Sequence, residues 1–276
     1  MNYSGIKVFG DSMPVGTELQ IENLNESDYK KALDILQLDP NGFEPSGKHQ
    51  DYKKVPFERS YKYYQFLKDK DIQTNFDKEN SFGGIIAKHF DCPFEIYGHA
   101  GYSNTAILNQ ILSADIKEND LLLVAVTYPW RTSQFVEDHW KSSAPVARCH
   151  SITHSRNKEH NRYAEMDMVY GNDMQSKLHD VVNYMNTIKT EYNNQIVFID
   201  IPPYKYNLKK YLEMDDYLNP TNHNYLNTRL KNNLFTVAFD DVWNELQTNC
   251  RAPLGHPNTR SHSRFADYLI EYLTHR

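Results

Sequence analysis

The chain has 276 residues, with 30 Lys and Arg against 36 Asp and Glu and a formal net charge of −6. At 39% hydrophobic and 24% charged residues it carries material for a sizeable core, which excludes disorder as the main state. The acidic balance excludes a global electrostatic footprint for nucleic acid, and no apolar run approaches the roughly 20 residues needed to cross a bilayer. Neither a nucleic acid nor a membrane is therefore expected as partner. At about 150 residues per domain, the length suits one large domain, 1–276, with insertions.

The opening Met1-Asn2-Tyr3-Ser4-Gly5 has neither a basic n-region nor an apolar h-region, so no secretory signal is expected. Cys92, Cys149 and Cys250 are far apart and in no CxxC spacing, which predicts reduced thiols and a reducing compartment. A cytoplasmic location follows, for an enzyme or for a part of a particle assembled there.

In chain order, the first short apolar run is 6–9. A polar, weakly periodic stretch follows at 23–59 and reads as an excursion from the core. Residues 81–90 place Ile85 and Ile86 near one helical face, and 94–97 form a second apolar run. Ile107, Leu108, Ile111 and Leu112 recur at helical spacing over 104–112, ahead of a third run at 121–126. A second polar excursion is expected at 140–170. Leu178, Val181, Val182, Met185 and Ile188 predict a helix over 174–190, followed by apolar runs at 196–201 and 234–237. Phe265, Leu269 and Leu273 then stand four apart in an amphipathic terminal helix. Short apolar runs suit strands buried on both faces, and their alternation with helices predicts a three-layer α/β domain with a parallel sheet.

Two local patterns carry chemistry. In Val8-Phe9-Gly10-Asp11-Ser12-Met13-Pro14-Val15-Gly16 an apolar strand runs directly into a turn. In an open parallel sheet ligands bind beyond the carboxyl ends of the strands, which is where Ser12 would stand. A plain Asx-type turn is the structural alternative, and Asp11 reads as the residue that fixes the turn through local hydrogen bonds. Near the other end stands Gly255-His256-Pro257-Asn258, followed by Ser261-His262. A serine nucleophile needs a general base, and imidazole is the side chain that titrates nearest neutrality. His256 is preferred to His262, which is expected to open the terminal helix with Ser261 as its N-cap.

With these blocks the chain resembles the SGNH (GDSL-like) hydrolase family. Gly10-Asp11-Ser12 with Gly16 matches the first block, Gly101 in Gly98-His99-Ala100-Gly101-Tyr102-Ser103-Asn104 matches the oxyanion glycine, and His256-Pro257 matches the last block. A narrower likeness, through Gly-Tyr-Ser-Asn and Gly-His-Pro-Asn, is to hydrolase-like proteins encoded by tailed bacteriophages. The resemblance implies an α/β/α sandwich with a five-stranded parallel sheet of flavodoxin-like winding. It also implies a serine esterase without cofactor or metal, acting on a small ester, often an O-acetyl group on a carbohydrate. Ser12 would be nucleophile and His256 general base, with Ser12, Gly101 and Asn104 forming the oxyanion hole.

The chain departs from the pattern twice. Pro129 falls where the family has an oxyanion Asn, for which Asn104 or Thr127 would substitute. Pro253 falls where it has the acid that orients the histidine, leaving a backbone carbonyl, Asp240 or Asp241 for that task. These departures and the polar excursions motivate a second reading, a structural or glycan-binding component of a virus particle with a decayed site and protein partners in an assembly.

Other patterns are weaker. Gly42-Phe43-Glu44-Pro45-Ser46-Gly47-Lys48-His49 lacks the Ser or Thr of a phosphate loop, and no GxGxxG supports a dinucleotide. Cys149 and His150 with His154 and His160 lack a second Cys pair to complete a zinc site. Tyr61, Tyr63 and Tyr64 among lysines read as an amphipathic helix rather than a base-stacking patch.

Overall fold

A computed structural model describes residues 2–38, 55–98, 102–127, 132–134, 148–150, 174–200, 236–238, 253–254 and 256–275. Strand β1 (Gly5–Gly10) leads through a turn into a short 3-10 helix (Leu19–Asn23), then α1 (Glu26–Leu36), α2 (Phe57–Thr74), α3 (Phe76–Asn80) and α4 (Phe82–His89). Next come β2 (Phe94–Gly98), α5 (Asn104–Ser113), β3 (Asp120–Val126), β4 (Thr132–Gln134) and β5 (Arg148–His150). The chain closes with α6 (Met174–Glu191), β6 (Gln195–Asp200), β7 (Thr236–Ala238) and α7 (Thr259–Thr274).

The sheet order is β2-β1-β3-β6-β7 and every pairing is parallel, which is the flavodoxin-like winding. Each of the five apolar runs supplies one strand. Central β1 and β3 are buried along their whole length, and helices cover both faces of the sheet, so near-continuous apolar sequence is what these positions demand.

Side chains alternate across the sheet with the two-residue period of a strand. Ile6, Val8, Leu121, Leu123, Val197 and Ile199 pack on one face against Phe82 and Ile86 of α4 and Phe265, Leu269 and Leu273 of α7. On the other face Phe9, Leu122, Val124 and Phe198 meet Ile107 and Ile111 of α5 and Val181, Met185 and Ile188 of α6. These two cores make the three layers. A third cluster joins Ile21 to Ala32, Leu33 and Leu36 of α1 and Tyr63 and Leu67 of α2.

Three local features differ from the expectations. The polar stretch 23–59 contains α1, capped by Asn25, whose side chain accepts from Asp28 N–H. Only Ala32, Leu33 and Leu36 of α1 are buried, too few for a strong periodic signal. Secondly, β4 and β5 form an antiparallel pair that no apolar run announced, with Thr132 opposite His150. Finally, α7 begins at Thr259, and its cap is Asn258, whose Oδ1 accepts from Ser261 N–H at 3.0 Å. Ser261 is thus a first-turn residue and not the cap. The phosphate-loop pattern at 42–49 and most of 140–170 lie outside the described residues.

Candidate active site

The turn after β1 is made possible by Gly10. A Cβ there would lie 2.2 Å from Pro14 Cγ and 2.8 Å from Ala125 Cβ, so no side chain fits. Gly16 has φ 74°, a left-handed conformation that glycine adopts without steric cost. Between them the chain folds back on itself: Ser12 C=O accepts from Thr17 N–H and Met13 C=O from Gly16 N–H, each at 3.1 Å.

Asp11, 1% exposed, pins this turn to the sheet. Its Oδ1 accepts from Met13 N–H at 3.1 Å, the local bond expected for an Asx-type turn, and its Oδ2 accepts from Thr127 Oγ1 at 2.7 Å. Ser12 is buried to 8% exposure, just beyond the carboxyl end of β1.

Asn104 opens α5 behind the cap Ser103, whose Oγ accepts from Ala106 N–H. The Asn104 side chain closes the end of β3: Nδ2 donates to Thr127 C=O at 3.1 Å and Oδ1 accepts from Thr127 N–H at 2.9 Å. One Nδ2 hydrogen is thereby used and the second remains for another acceptor. Asp11, Thr127 and Asn104 form one buried polar chain tying the β1 turn, the β3 end and the start of α5 together.

His256 comes near the end of the chain and is held by Glu18, the residue that enters the Leu19–Asn23 helix. Its Nδ1 lies 2.6 Å from Glu18 Oε2. The Glu18 carboxylate also accepts from Leu254 N–H at 3.0 Å and from His256 N–H at 3.4 Å. The Glu18 side chain is fully buried, whereas that of His256 keeps 16% exposure. One turn further on, Glu22 accepts from Thr259 N–H at 3.0 Å and from Thr259 Oγ1. Two carboxylates, Glu18 at the entrance of the short helix and Glu22 within it, therefore bind the His256 segment to the segment that follows Ser12. Tyr64 meets the imidazole edge-on at 6.0 Å between centroids. Burial first, and the Glu18 charge second, push the Tyr63 and Tyr64 hydroxyls well above the usual tyrosine range.

His262 is in a different setting. It is fully buried, stacks on Phe82 at 5.8 Å, and its Nδ1 accepts from Phe82 N–H at 3.1 Å. Burial, and then the proximity of His256, lower its pKa to about 3. An imidazole enclosed in this way is a neutral core residue, and of these two histidines His256 is the one with exposed surface.

Gly101, Pro129, Asp240 and Asp241 lie outside the described residues. Pro253 is described, and the carboxylate facing His256 is Glu18, which the sequence reading missed. Glu18 and His256 are 238 positions apart, so no spacing rule links them. Locally Glu18 stands in the mixed stretch Thr17-Glu18-Leu19-Gln20-Ile21-Glu22, where nothing marks it out from Glu22. Among the described residues no group of three or more His, Cys, Asp and Glu could hold a metal ion. None of the described helices is long and apolar enough to cross a membrane. In α2, Tyr63 is fully buried and Lys70 pairs with Asp28 at 2.6 Å, so these two residues of the tyrosine–lysine pattern belong to packing and a salt bridge.

No family model and no curated protein matches the chain. Three similar solved structures are distant in sequence. One is a carbohydrate esterase whose active site displays divergent catalytic and non-catalytic binding functions, at 13% identity and TM-score 0.46. The match covers 99% of this chain and 65% of that one, so the present chain spans about two thirds of its length. A member of the lipolytic protein G-D-S-L family from Veillonella parvula DSM 2008 has 13% identity and TM-score 0.40, covering 98% of both chains. Phospholipase A1 from Streptomyces albidoflavus NA297 has 8% identity and TM-score 0.39, covering 95% of both.

Proposed function

We propose that the chain is a serine ester hydrolase with Ser12 as nucleophile and His256 as general base. The observation that carries the reading is the imidazole of His256, anchored through Nδ1 at 2.6 Å on a buried carboxylate borne by the segment that continues from Ser12. Anchoring Nδ1 leaves Nε2 as the nitrogen for proton transfer, the division of roles a serine hydrolase requires.

In this mechanism Ser12 Oγ attacks the ester carbonyl carbon as its proton passes to His256 Nε2. The resulting oxyanion is held by the backbone N–H groups of Ser12 and Gly101 and by the remaining Nδ2 hydrogen of Asn104. The imidazolium then gives its proton to the departing alkoxide. Water, deprotonated in turn by His256, cleaves the acyl-enzyme and restores Ser12. The substrate class we propose is a small ester, with an O-acetylated carbohydrate as the case the SGNH resemblance implies.

The test uses the full chain and a short-chain aryl ester. Ser12→Ala is expected to lower turnover by at least about 10³-fold while circular dichroism and melting stay as in the wild type. A fluorophosphonate is expected to label the native protein at Ser12, located by peptide mass spectrometry. Unchanged turnover in the variant removes Ser12 from the mechanism. A folded wild-type protein that neither turns over ester nor takes the label returns the chain to the glycan-binding reading.

A further inference from the structure

We infer that Glu18 is the positioning residue of the His256 base, standing in for the acid that the SGNH pattern places three residues before the histidine, where this chain has Pro253. The inference rests on His256 being the general base and adds what fixes its tautomer.

The carboxylate is placed for that task. Oε2 lies 2.6 Å from Nδ1, and the same group accepts the backbone N–H of Leu254 and of His256. The carboxylate already accepts two backbone N–H groups, and an acceptor oxygen at 2.6 Å from Nδ1 selects the tautomer with hydrogen on Nδ1 and a lone pair on Nε2. Glu18 itself has φ 80°, a left-handed conformation uncommon for a residue with a side chain. Such a conformation is strained and persists where surrounding contacts over-determine it, which is common at functional sites. Here the contacts are Leu254 N–H, His256 N–H and the His256 imidazole. Pro253 cannot itself accept from the imidazole through a side chain, so the acid arrives from the β1 side instead.

A purely structural role is the competing account, since Glu18 also ties down the 254–256 backbone. Glu18→Gln separates the two. An amide oxygen that stays on Leu254 N–H at the Oε1 position puts the amide nitrogen at the Oε2 position, where it presents a donor to Nδ1, stabilises the opposite tautomer and gives up the 3.4 Å bond from His256 N–H. Nitrogen-15 NMR of the imidazole, read on the high-pH plateau of its chemical shifts, reports this without any need for activity. The wild type is expected to carry hydrogen on Nδ1 of His256, and Glu18→Gln to carry it on Nε2. Turnover of the aryl ester is expected to fall by about 10²–10⁴-fold in kcat with KM within about threefold. Glu18→Asp, which keeps the charge on a shorter arm, is expected to recover at least about tenfold over Glu18→Gln.

An Nε2–H tautomer in the wild type overturns the inference, as does an unchanged tautomer in Glu18→Gln with kcat within about tenfold of wild type. Should Glu18→Gln fail to fold, the wild-type tautomer and Glu18→Asp decide alone. A tautomer that flips in a protein without esterase activity upholds the Glu18 assignment and sinks the hydrolase reading, so the two failures are told apart.

Discussion

Two buried titratable residues near the site pull stability in opposite directions with pH. His262 has a folded pKa lowered from 6.5 to about 3, chiefly by burial, so the unfolded chain binds the extra proton between those values. Its effect is that stability falls as pH drops below 6.5 toward about 3. Asp77 is raised from 3.8 to about 8 by burial and by the neighbouring Asp71, so the folded chain binds the extra proton there and stability falls as pH rises through that window. Where the windows overlap, the two slopes oppose. His262→Gln, which keeps an acceptor for Phe82 N–H, is expected to expose a decline in stability with rising pH. Asp77→Asn is expected to expose the rise. Urea denaturation as a function of pH checks both, and a wild-type-like profile in either variant refutes the corresponding assignment. The fate of the two histidines was only partly readable beforehand: His-Pro marked His256, while the burial of His262 depends on Phe82 of a helix 180 positions away.

At the scale of elements, the short helix Leu19–Asn23 acts as a clamp. Glu18 at its entrance grips Leu254 and His256, and Glu22 within it accepts from the first residue of α7, where a carboxylate also complements the helix dipole. Asn258 caps the same helix end, so Asn258→Ala is expected to cost about 0.5–2 kcal/mol, read as a lower urea midpoint at constant m-value. A cost within error in that experiment shows Glu22 satisfying the helix end alone. The elements themselves were legible where apolar content was dense: all five sheet strands and the helices at 82–89, 104–113, 174–191 and 259–274 follow from it. Helix α1 was not, because most of its surface is polar, and the clamp was not, because a five-residue 3-10 helix has too few residues to show a period.

Over the whole molecule, the fold brings the beginning of the chain against its end. Helix α7 packs Phe265, Ala266, Leu269 and Leu273 on the sheet face formed by β1, β3 and β6 and on α4, with Phe82 and Phe265 edge to face at 5.0 Å. Leu269 is fully buried there, so Leu269→Ala is expected to cost about 2–5 kcal/mol. Thermal or urea unfolding measures it, and a loss below about 1 kcal/mol shows that α7 is not part of the cooperative core. The sequence alone determined the layer architecture, because burial on both faces of a parallel strand imposes a continuous apolar run and a covering helix imposes its own period. It also determined the Asp11 turn, whose bond to Met13 is local. Which acid meets His256 was decided by tertiary structure only. A hydrogen bond between residues 238 positions apart leaves no periodic or spacing trace, since its two ends are brought together by packing of other residues.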